Sequence, residues 1–189
     1  MPLRILYAKA VASGLLVGLG VVANTVIDNR YVGSALFSVA LLAILSCGLP
    51  LYTGRIGFLW ETPKRALALM FFGNLAGVII PLLLYPQIWE MIPVLAEQKF
   101  AKSFYELFVQ GLFCGVLMFV AVECNQMILT IICIMTFILS GYEHCIAAFP
   151  FLLTNLSFLN ILKFAAIFLG NSIGAIATRL LIKTSDTGE

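Results

Sequence analysis

Charged residues are scarce in this 189-residue chain, since only 11% of it is Asp, Glu, Lys or Arg. Hydrophobic residues make up 62% of the sequence, and the mean hydropathy is +1.07. A soluble domain of this length does not need so much apolar surface, so a soluble fold is excluded. Basic clusters and low-complexity tracts are also missing, and a net charge of +2 gives no reason to expect a nucleic-acid partner. The composition predicts an integral membrane protein.

Residues that carry chemistry are almost as rare. There is one histidine, His144, and there are nine acidic residues. A metal site needs several ligands, and none of the cysteines has Cys-x-x-Cys spacing, so we expect neither a metal nor a cofactor. The cysteines fall within or at the ends of predicted helices and are interpreted as small, reduced core residues. They are Cys47, Cys114, Cys124, Cys133 and Cys145.

What the sequence does contain is a series of apolar runs. A membrane-spanning helix needs about 20 apolar residues, and with short connections the chain has room for six. The predicted spans are residues 7–27, 31–49, 63–85, 104–122, 127–153 and 160–182. The first run is long enough to span and lacks a small-residue cleavage site, so we expect a retained span rather than a cleaved signal. Residues 86–103 are the longest polar connector, expected on the membrane surface with Trp89 as an anchor, and a polar tail ends the chain.

Two of the predicted spans are interrupted. Residues 50–54, Pro-Leu-Tyr-Thr-Gly, follow the second run and break it, because proline and glycine this close together stop a helix. Residues 140–144, Ser-Gly-Tyr-Glu-His, break the fifth at Gly141 and place the single histidine inside an apolar stretch. An ionisable residue at membrane depth is expensive and usually faces a protein interior or a water-filled path. A broken helix that carries a titratable residue is typical of transport sites.

The chain also repeats itself with an offset of 97 residues. Phe-Phe-Gly-Asn-Leu-Ala-Gly at 71–77 recurs as Phe-Leu-Gly-Asn-Ser-Ile-Gly at 168–174. Gly-Leu-Leu-Val-Gly at 14–18 recurs as Gly-Leu-Phe-Cys-Gly at 111–115. Glycines at this spacing let helices pack closely, which accounts for the glycines but not for the matched breaks.

Three spans per half is an odd number, so the second half must be inverted relative to the first. We expect one transmembrane domain with repeat halves at about 1–95 and 96–189, and a pathway at the interface between them. Asn74 and Asn171 occupy matching positions in the two halves. Each could make an interhelical hydrogen bond worth about 1 kcal/mol, tie down a broken loop or line the pathway, and the sequence leaves these alternatives open.

The basic residues predict the orientation in the membrane. With both termini in the cytoplasm, seven basic residues lie inside and four outside, which favours that arrangement. The inside set is Arg4, Lys9, Arg55, Lys64, Arg65, Arg179 and Lys183, and the outside set is Arg30, Lys99, Lys102 and Lys163.

Together these segments resemble the formate/nitrite transporter family. Ser-Gly-Tyr-Glu-His-Cys-Ile-Ala at 140–147 is similar to that family's fifth-helix motif, Ser-Gly-Phe-Glu-His-x-Ile-Ala. Leu-Tyr-Thr-Gly at 51–54 is similar to its second-helix motif, Leu-Phe-Thr, and the two Gly-Asn-x-x-Gly segments are similar to its third and sixth helices. The resemblance covers about residues 10–182.

The resemblance implies an all-α, aquaporin-like fold that assembles as a homopentamer in the plasma membrane, the bacterial inner membrane. It implies one pore per protomer for small monovalent anions or their conjugate acids, so the expected partners are that solute, protons and membrane lipids. The family's central histidine corresponds to His144, its loop threonine to Thr53, and its vestibule lysine, twelve positions before Gly111, to Lys99. The apolar constrictions correspond to Phe37, Leu41 and Leu51, with Tyr52, Met118 and Phe137 nearby.

The chain departs from the family pattern at two positions. Gly115 and Ala148 stand where the family often has asparagine. The loss of two pore amides favours the hydrosulfide-conducting branch over formate or nitrite selectivity.

A monovalent anion at the bilayer centre carries a large desolvation cost, whereas the neutral forms of formic, nitrous and hydrosulfuric acids cross apolar constrictions more cheaply. We therefore expect Lys99 to attract the anion and the apolar collars to exclude hydrated ions. His144, whose pKa is ordinarily about 6.5, and Thr53 are expected to hydrogen-bond or protonate the passenger. Glu143 is expected to support the loop, by capping free N–H groups or pairing with a neighbour.

Each assignment has a plainer alternative. His144 could be a satisfied structural group, Thr53 a helix cap and Lys99 a solvated lysine. Phe37 and Leu41 are four residues apart on one helical face, which core packing explains equally well.

Two other functions compete with that of an anion channel or proton-linked transporter. An intramembrane enzyme would have to use Glu143, His144 and Cys145, but adjacent residues on a helix point in different directions, so we expect no catalytic site. A neutral small-solute channel of the aquaporin type is the alternative, although the paired Asn-Pro-Ala loops of that group are absent.

Overall fold

A computed structural model describes residues 1–186, and the regular secondary structure in that range is entirely helical. One turn of 3-10 helix, Ile56–Phe58, accompanies nine α-helices there. The helices are α1 Leu3–Val26, α2 Arg30–Ser46, α3 Tyr52–Arg55, α4 Lys64–Leu84, α5 Ile88–Ala101, α6 Phe104–Cys124, α7 Met127–Leu139, α8 Cys145–Thr154 and α9 Phe158–Asp186. The end of the predicted polar tail, residues 187–189, lies outside the described residues.

Four of the described helices are long and apolar enough to cross a membrane, namely α1, α4, α6 and α9. Three others, α2, α7 and α8, are apolar but shorter. The predicted second span coincides with α2 and α3, and the predicted fifth span with α7 and α8. Length and composition therefore identify four of the six predicted spans directly, and the other two consist of shorter pieces.

Glycines bring α1 against α4, and α6 against α9. A Cβ atom built on Gly77 would lie 2.0 Å from the carbonyl oxygen of Val11, and one on Gly174 would lie 2.1 Å from that of Leu112. No side chain fits at either position, so only glycine allows the backbones to approach this closely. The close-packing role predicted for these glycines is confirmed.

The helix α2 ends earlier than predicted. Its last residue is Ser46, and Gly48 follows with a φ of +59°, a left-handed conformation that glycine adopts without strain. Thr53 and Gly54, predicted to be part of the interruption, belong instead to the short helix α3. The prediction placed the break at Pro50 to Gly54, whereas the glycine with positive φ that follows α2 is Gly48 and Gly54 is helical.

Between α7 and α8 the chain leaves the helical conformation for a few residues. Ser140 caps the C-terminus of α7, and Gly141 has a φ of +72°. His144 is the N-cap residue of α8, with extended backbone angles of −98° and 118°. The single histidine therefore lies at the start of a helix inside the bundle.

Residues 86–103 were predicted to be a polar surface connector, but most of them form the helix α5. Ile88, Ile92, Ala96 and Phe100 are all buried, and α5 packs against α8 and α1. A spacing of four places these residues on one face of the helix. The polar residues between them concealed this stripe in the sequence.

The cysteines divide between core and surface. Cys114, Cys133 and Cys145 are buried, as predicted, but Cys47 and Cys124 are exposed. These two lie at the C-terminal ends of α2 and α6, where the chain leaves the bundle. The core prediction was wrong for both because it did not separate helix ends from helix centres.

Candidate functional site

Thr53 and His144 form a buried hydrogen-bonded pair. The Oγ1 atom of Thr53 lies 2.8 Å from Nε2 of His144, and the two residues are 1% and 4% exposed. The other ring nitrogen, Nδ1, accepts a hydrogen bond of 3.2 Å from the backbone N–H of Ala147. Because an accepting Nδ1 carries no proton, the neutral ring holds its proton on Nε2 and donates it to Thr53. The imidazole is thus both a cap for α8 and a donor toward α3.

Asn74 fixes the short segment that carries Thr53. Its Oδ1 atom accepts a hydrogen bond of 2.8 Å from the N–H of Tyr52, at the start of α3. Its Nδ2 atom donates to the carbonyl oxygens of Ala10, at 2.8 Å, and Pro50, at 3.1 Å. One buried amide on α4 therefore joins α1, the linker after α2 and the start of α3.

Asn171 does the same for the segment that carries His144. Its Oδ1 atom accepts from the N–H of Cys145 at 2.8 Å, at the start of α8. Its Nδ2 atom donates to the carbonyl oxygens of Gly111 and Glu143, each at 2.8 Å. The structure thus answers the question left open by the sequence, since each asparagine ties an irregular segment to two helices.

The first cavity lies beside His144 and has a volume of about 170 Å³. Its lining includes the rings of Phe37, Phe137 and His144. Phe37 meets Phe137 edge to face at 6.0 Å between centroids, and Phe137 stacks on His144, also at 6.0 Å. Ala148 lines the same cavity, so the absence of an asparagine there leaves this wall apolar.

Two lysines face one carboxylate at the mouth of the first cavity. Lys99 forms an ion pair with Glu143, and its Nζ atom lies 4.9 Å from the ring centroid of Phe151. Lys102 lies 3.3 Å from the same carboxylate and 2.9 Å from Oε1 of Gln110. The cluster of Lys99, Lys102 and Glu143 carries one excess positive charge, and a solvated Lys99 without a partner is excluded.

A wider space adjoins this mouth, which we call the first vestibule. It has a volume of about 590 Å³ and is lined by Arg30 as well as by Lys99, Lys102 and Glu143. Three cations therefore face a single carboxylate in this space. An anion approaching this surface meets a positive potential.

The predicted constriction residues separate into three places. Phe37 and Phe137 line the first cavity, whereas Leu41 and Leu51 line a second cavity of about 220 Å³. Tyr52 lies in the core, where its hydroxyl is 3.0 Å from that of Ser172 and its ring stacks on Phe168. Met118 is also a buried core residue.

Gly115 does not face the cavities. A Cβ atom on it would lie 2.2 Å from the carbonyl oxygen of Asn171, so this position points into the contact between α6 and α9. The expectation that Gly115 removes an amide from the pathway is wrong for this chain. Only Ala148 retains that argument.

Sequence reasoning missed Lys102 and Gln110 as members of the charged cluster. Lys102 was counted only as an outside positive charge. Lys102 is the C-cap residue of α5, with extended backbone, so helical spacing from Lys99 would not have revealed the pair.

The two ends of the bundle each have a basic opening. The second vestibule, of about 720 Å³, is lined near the N-terminus of α1 by Lys9, whereas the first cavity is lined by Asn24 of the same helix. At about 1.5 Å per residue, fifteen residues separate the two openings by roughly 22 Å. A bundle of apolar helices thus has an opening lined by basic residues at each end.

The chain belongs to the formate/nitrite transporter family. The family model described as "Formate/nitrite transporter" matches residues 1–183, and membership indicates a transporter or channel rather than an enzyme. Among curated proteins, none matches the chain.

The fold is similar to solved structures of channels. One is titled "Pentameric formate channel with formate bound", with a TM-score of 0.83, 20% sequence identity and coverage of 99% of this chain and 98% of that one. Another, "FNT family ion channel", has a TM-score of 0.78 and 22% identity, and covers 96% of this chain and 89% of that one. At these identities the likeness establishes the fold.

Proposed function

We propose that this chain conducts small monovalent anions, or their weak acids, across a bacterial inner membrane through a pathway that passes between Thr53 and His144. The observation that carries the proposal is their buried hydrogen bond of 2.8 Å, at the inner end of a cavity entered past two lysines. Formate, nitrite and hydrosulfide are the passengers that the family and the site suit.

The proposed architecture has six spans in two inverted halves of a single domain. In it, α2 with α3 and α7 with α8 act as interrupted spans, in an aquaporin-like arrangement. The matching hydrogen bonds of Asn74 and Asn171 support this, as do the matching backbone contacts of Gly77 and Gly174. The two asparagines belong to the pathway by holding its walls in place.

The proposed passage begins at Lys99 and Lys102, which raise the local concentration of anions. The rings of Phe37 and Phe137, and then Leu41, exclude hydrated ions because an apolar wall offers no replacement for water. A passenger between these collars can replace Thr53 as the acceptor of the Nε2–H group of His144. Glu143 supports the loop and tempers the charge of the lysines.

Proton exchange at His144 is the finer part of the proposal. Histidine is the side chain whose ordinary pKa lies nearest to neutral pH, so His144 is the group of this site that can exchange a proton with a passenger held against it. A second proton on Nδ1 would break the hydrogen bond from Ala147, which makes protonation and the capping of α8 mutually exclusive. Neutral weak acids formed in this way cross the apolar collar more cheaply than their anions.

Assembly and orientation complete the proposal. Since a similar structure is titled a pentameric channel, we propose a homopentamer, with lipids covering the remaining apolar surface. Both termini are assigned to the cytoplasm, because seven basic residues of the sequence then lie on the cytoplasmic side and four on the other.

The test is flux of formate, nitrite and hydrosulfide into proteoliposomes, one pH unit below and one above about 6.5. Protein-free liposomes provide the background, since neutral weak acids cross lipid unaided. We expect protein-dependent, pH-dependent uptake of at least one anion and none of glycerol. Uptake of glycerol without anion flux would instead support the neutral-solute alternative. The hydrosulfide branch, favoured by Ala148, predicts that hydrosulfide is carried best.

A further inference from the structure

Most of the side chains that line the second cavity are apolar, and one of them is charged. It lies between the C-terminal part of α2, the linker to α3 and the end of α6. Among the described residues that line it, only Arg55 and Asn125 have polar side chains, and only Arg55 is charged. Arg55 also lines the larger second vestibule, so its side chain stands where the two spaces meet.

The charge of Arg55 is not compensated by an ion pair with any described residue. Arg55 is exposed, and its guanidinium makes no hydrogen bond or ion pair with any described residue. Glu61 is the one carboxylate lining the second vestibule, and it is paired with Arg179 and Lys183. A guanidinium with no partner among the described residues makes the potential at the edge of this cavity positive.

The helix α3 places Arg55 next to the proposed passage. Leu51 and Gly54 line the second cavity, while Thr53 between them bonds His144, which lines the first. The short segment from Leu51 to Arg55 therefore forms part of the partition between the two cavities. An anion that leaves the Thr53–His144 pair toward the second cavity would meet the guanidinium of Arg55, which is two residues from Thr53 along the chain.

We propose that Arg55 is an anion-binding residue of the second cavity, selective for planar anions with two oxygen atoms, such as formate and nitrite. This rests on the proposed function. A guanidinium offers two parallel N–H groups that match two oxygens, whereas an ammonium group acts as a point charge. Hydrosulfide has a single sulfur atom and gains nothing from the fork. Arg55 therefore favours formate and nitrite, opposite to the effect of Ala148.

The experiment compares Arg55→Lys and Arg55→Gln with the parent chain in proteoliposomes. At about 10 mM ionic strength, where screening extends over roughly 30 Å, Arg55→Gln should lower flux of all three anions by about tenfold. Arg55→Lys keeps the charge, so it should retain hydrosulfide flux and lose several-fold for formate and nitrite. Arg65→Gln is the matched control for charge, because Arg65 lines the second vestibule but not the second cavity, so its loss should lower flux of all three anions alike and by less than Arg55→Gln.

A binding readout separates this inference from conduction itself. In detergent, sodium formate should raise the melting temperature of the parent chain above that in equal sodium chloride, and the increment should vanish in Arg55→Gln. A parent chain that conducts no anion but keeps an Arg55-dependent increment overturns the proposed function and not the site. The site is overturned if Arg55→Gln has the flux of the parent chain and the same increment in melting temperature. It is also overturned if Arg65→Gln loses as much flux as Arg55→Gln.

Discussion

Asn74 and Asn171, 97 positions apart, make equivalent sets of three hydrogen bonds in the two halves of the protein. Each accepts the first free N–H group of a helix and donates to two carbonyl oxygens. The helix starts that they cap are α3 and α8, which carry Thr53 and His144. The geometry of the pair is therefore determined by two amides that do not touch it.

Replacing Asn171 by alanine should destabilise the protein and displace His144. The N–H of Cys145 and the carbonyl of Glu143 would lose their partner in a buried setting, which costs about 1–3 kcal/mol for each unsatisfied group. We expect a lower melting temperature in detergent and reduced flux per folded protein. The control is Asn160→Ala, which removes a bond to Asn155 and should lower stability while leaving flux unchanged. Equal loss of flux in both variants would show that Asn171 has no positioning role.

The hydroxyl group of Thr53 should be required for anion flux, whereas its methyl group should not be. Thr53→Ser keeps an oxygen for the Nε2–H group of His144, whereas Thr53→Val leaves that buried donor unsatisfied at a cost of about 1–3 kcal/mol. Since about 1.4 kcal/mol corresponds to a tenfold change in rate, we expect flux to fall on the order of tenfold in Thr53→Val and little in Thr53→Ser. Initial rates of anion uptake measure both. Equal flux in the two variants would remove the hydroxyl from the mechanism.

Proton exchange makes a separate prediction for His144. His144→Asn retains a polar side chain that can cap α8 but cannot titrate. We expect residual flux whose change between pH values on either side of about 6.5 is smaller than in the parent chain and follows only the protonation of the passenger itself. A variant that keeps the full pH dependence of the parent chain contradicts proton transfer at this residue, whatever its absolute rate.

Glu61 lies at the end of the bundle that holds the second vestibule, and it should make the stability of the protein depend on pH. Hydrogen bonds from Arg179 are the main cause that lowers the pKa of Glu61 from 4.5 to about 2. A lowered carboxyl pKa stabilises the folded state above pH 4.5, and that contribution is lost as the pH falls toward 2. The side chain is 51% exposed, so the effect is modest and weakened by salt.

The measurement is the melting temperature in detergent of the parent chain and of Glu61→Gln from neutral to acidic pH. The variant should melt lower at neutral pH, and the difference should shrink below pH 4.5. Glu123→Gln is the matched control, because Glu123 is exposed and makes no ion pair with the described residues. If the difference in melting temperature stays constant from neutral to acidic pH, the substitution acts through the shape of the side chain rather than through its charge.

Much of this fold follows from local sequence patterns. The apolar runs that became α1, α4, α6 and α9 are long enough to be recognised without any tertiary information. The glycine and asparagine repeat identified residues that hold the helices together within each half. Gly141 marked the end of α7 because the ability to adopt a positive φ without strain is a property of glycine itself.

Patterns that depend on packing were predicted less well. The stripe from Ile88 to Phe100 was hidden among polar residues, and the partner that buries it, α8, lies about fifty positions further along the chain. Gly115 was assigned to the pathway, although it faces the backbone of α9. In both cases the environment of a residue was set by another helix, which composition and spacing do not record.

The sequence by itself determined that the protein is a helical membrane protein with a repeated structure, because hydropathy and helix-breaking are properties of short segments. It also marked His144 as unusual, because burying an ionisable group in apolar surroundings is expensive wherever it occurs. Only the tertiary structure decided that Thr53 meets His144 across 91 positions and that Lys99 and Lys102 share Glu143. It also decided that Arg55, which pairs with no described residue, lines both the second cavity and the second vestibule. Hydrogen bonds and ion pairs act over a few ångströms, and folding alone brings distant parts of a chain that close.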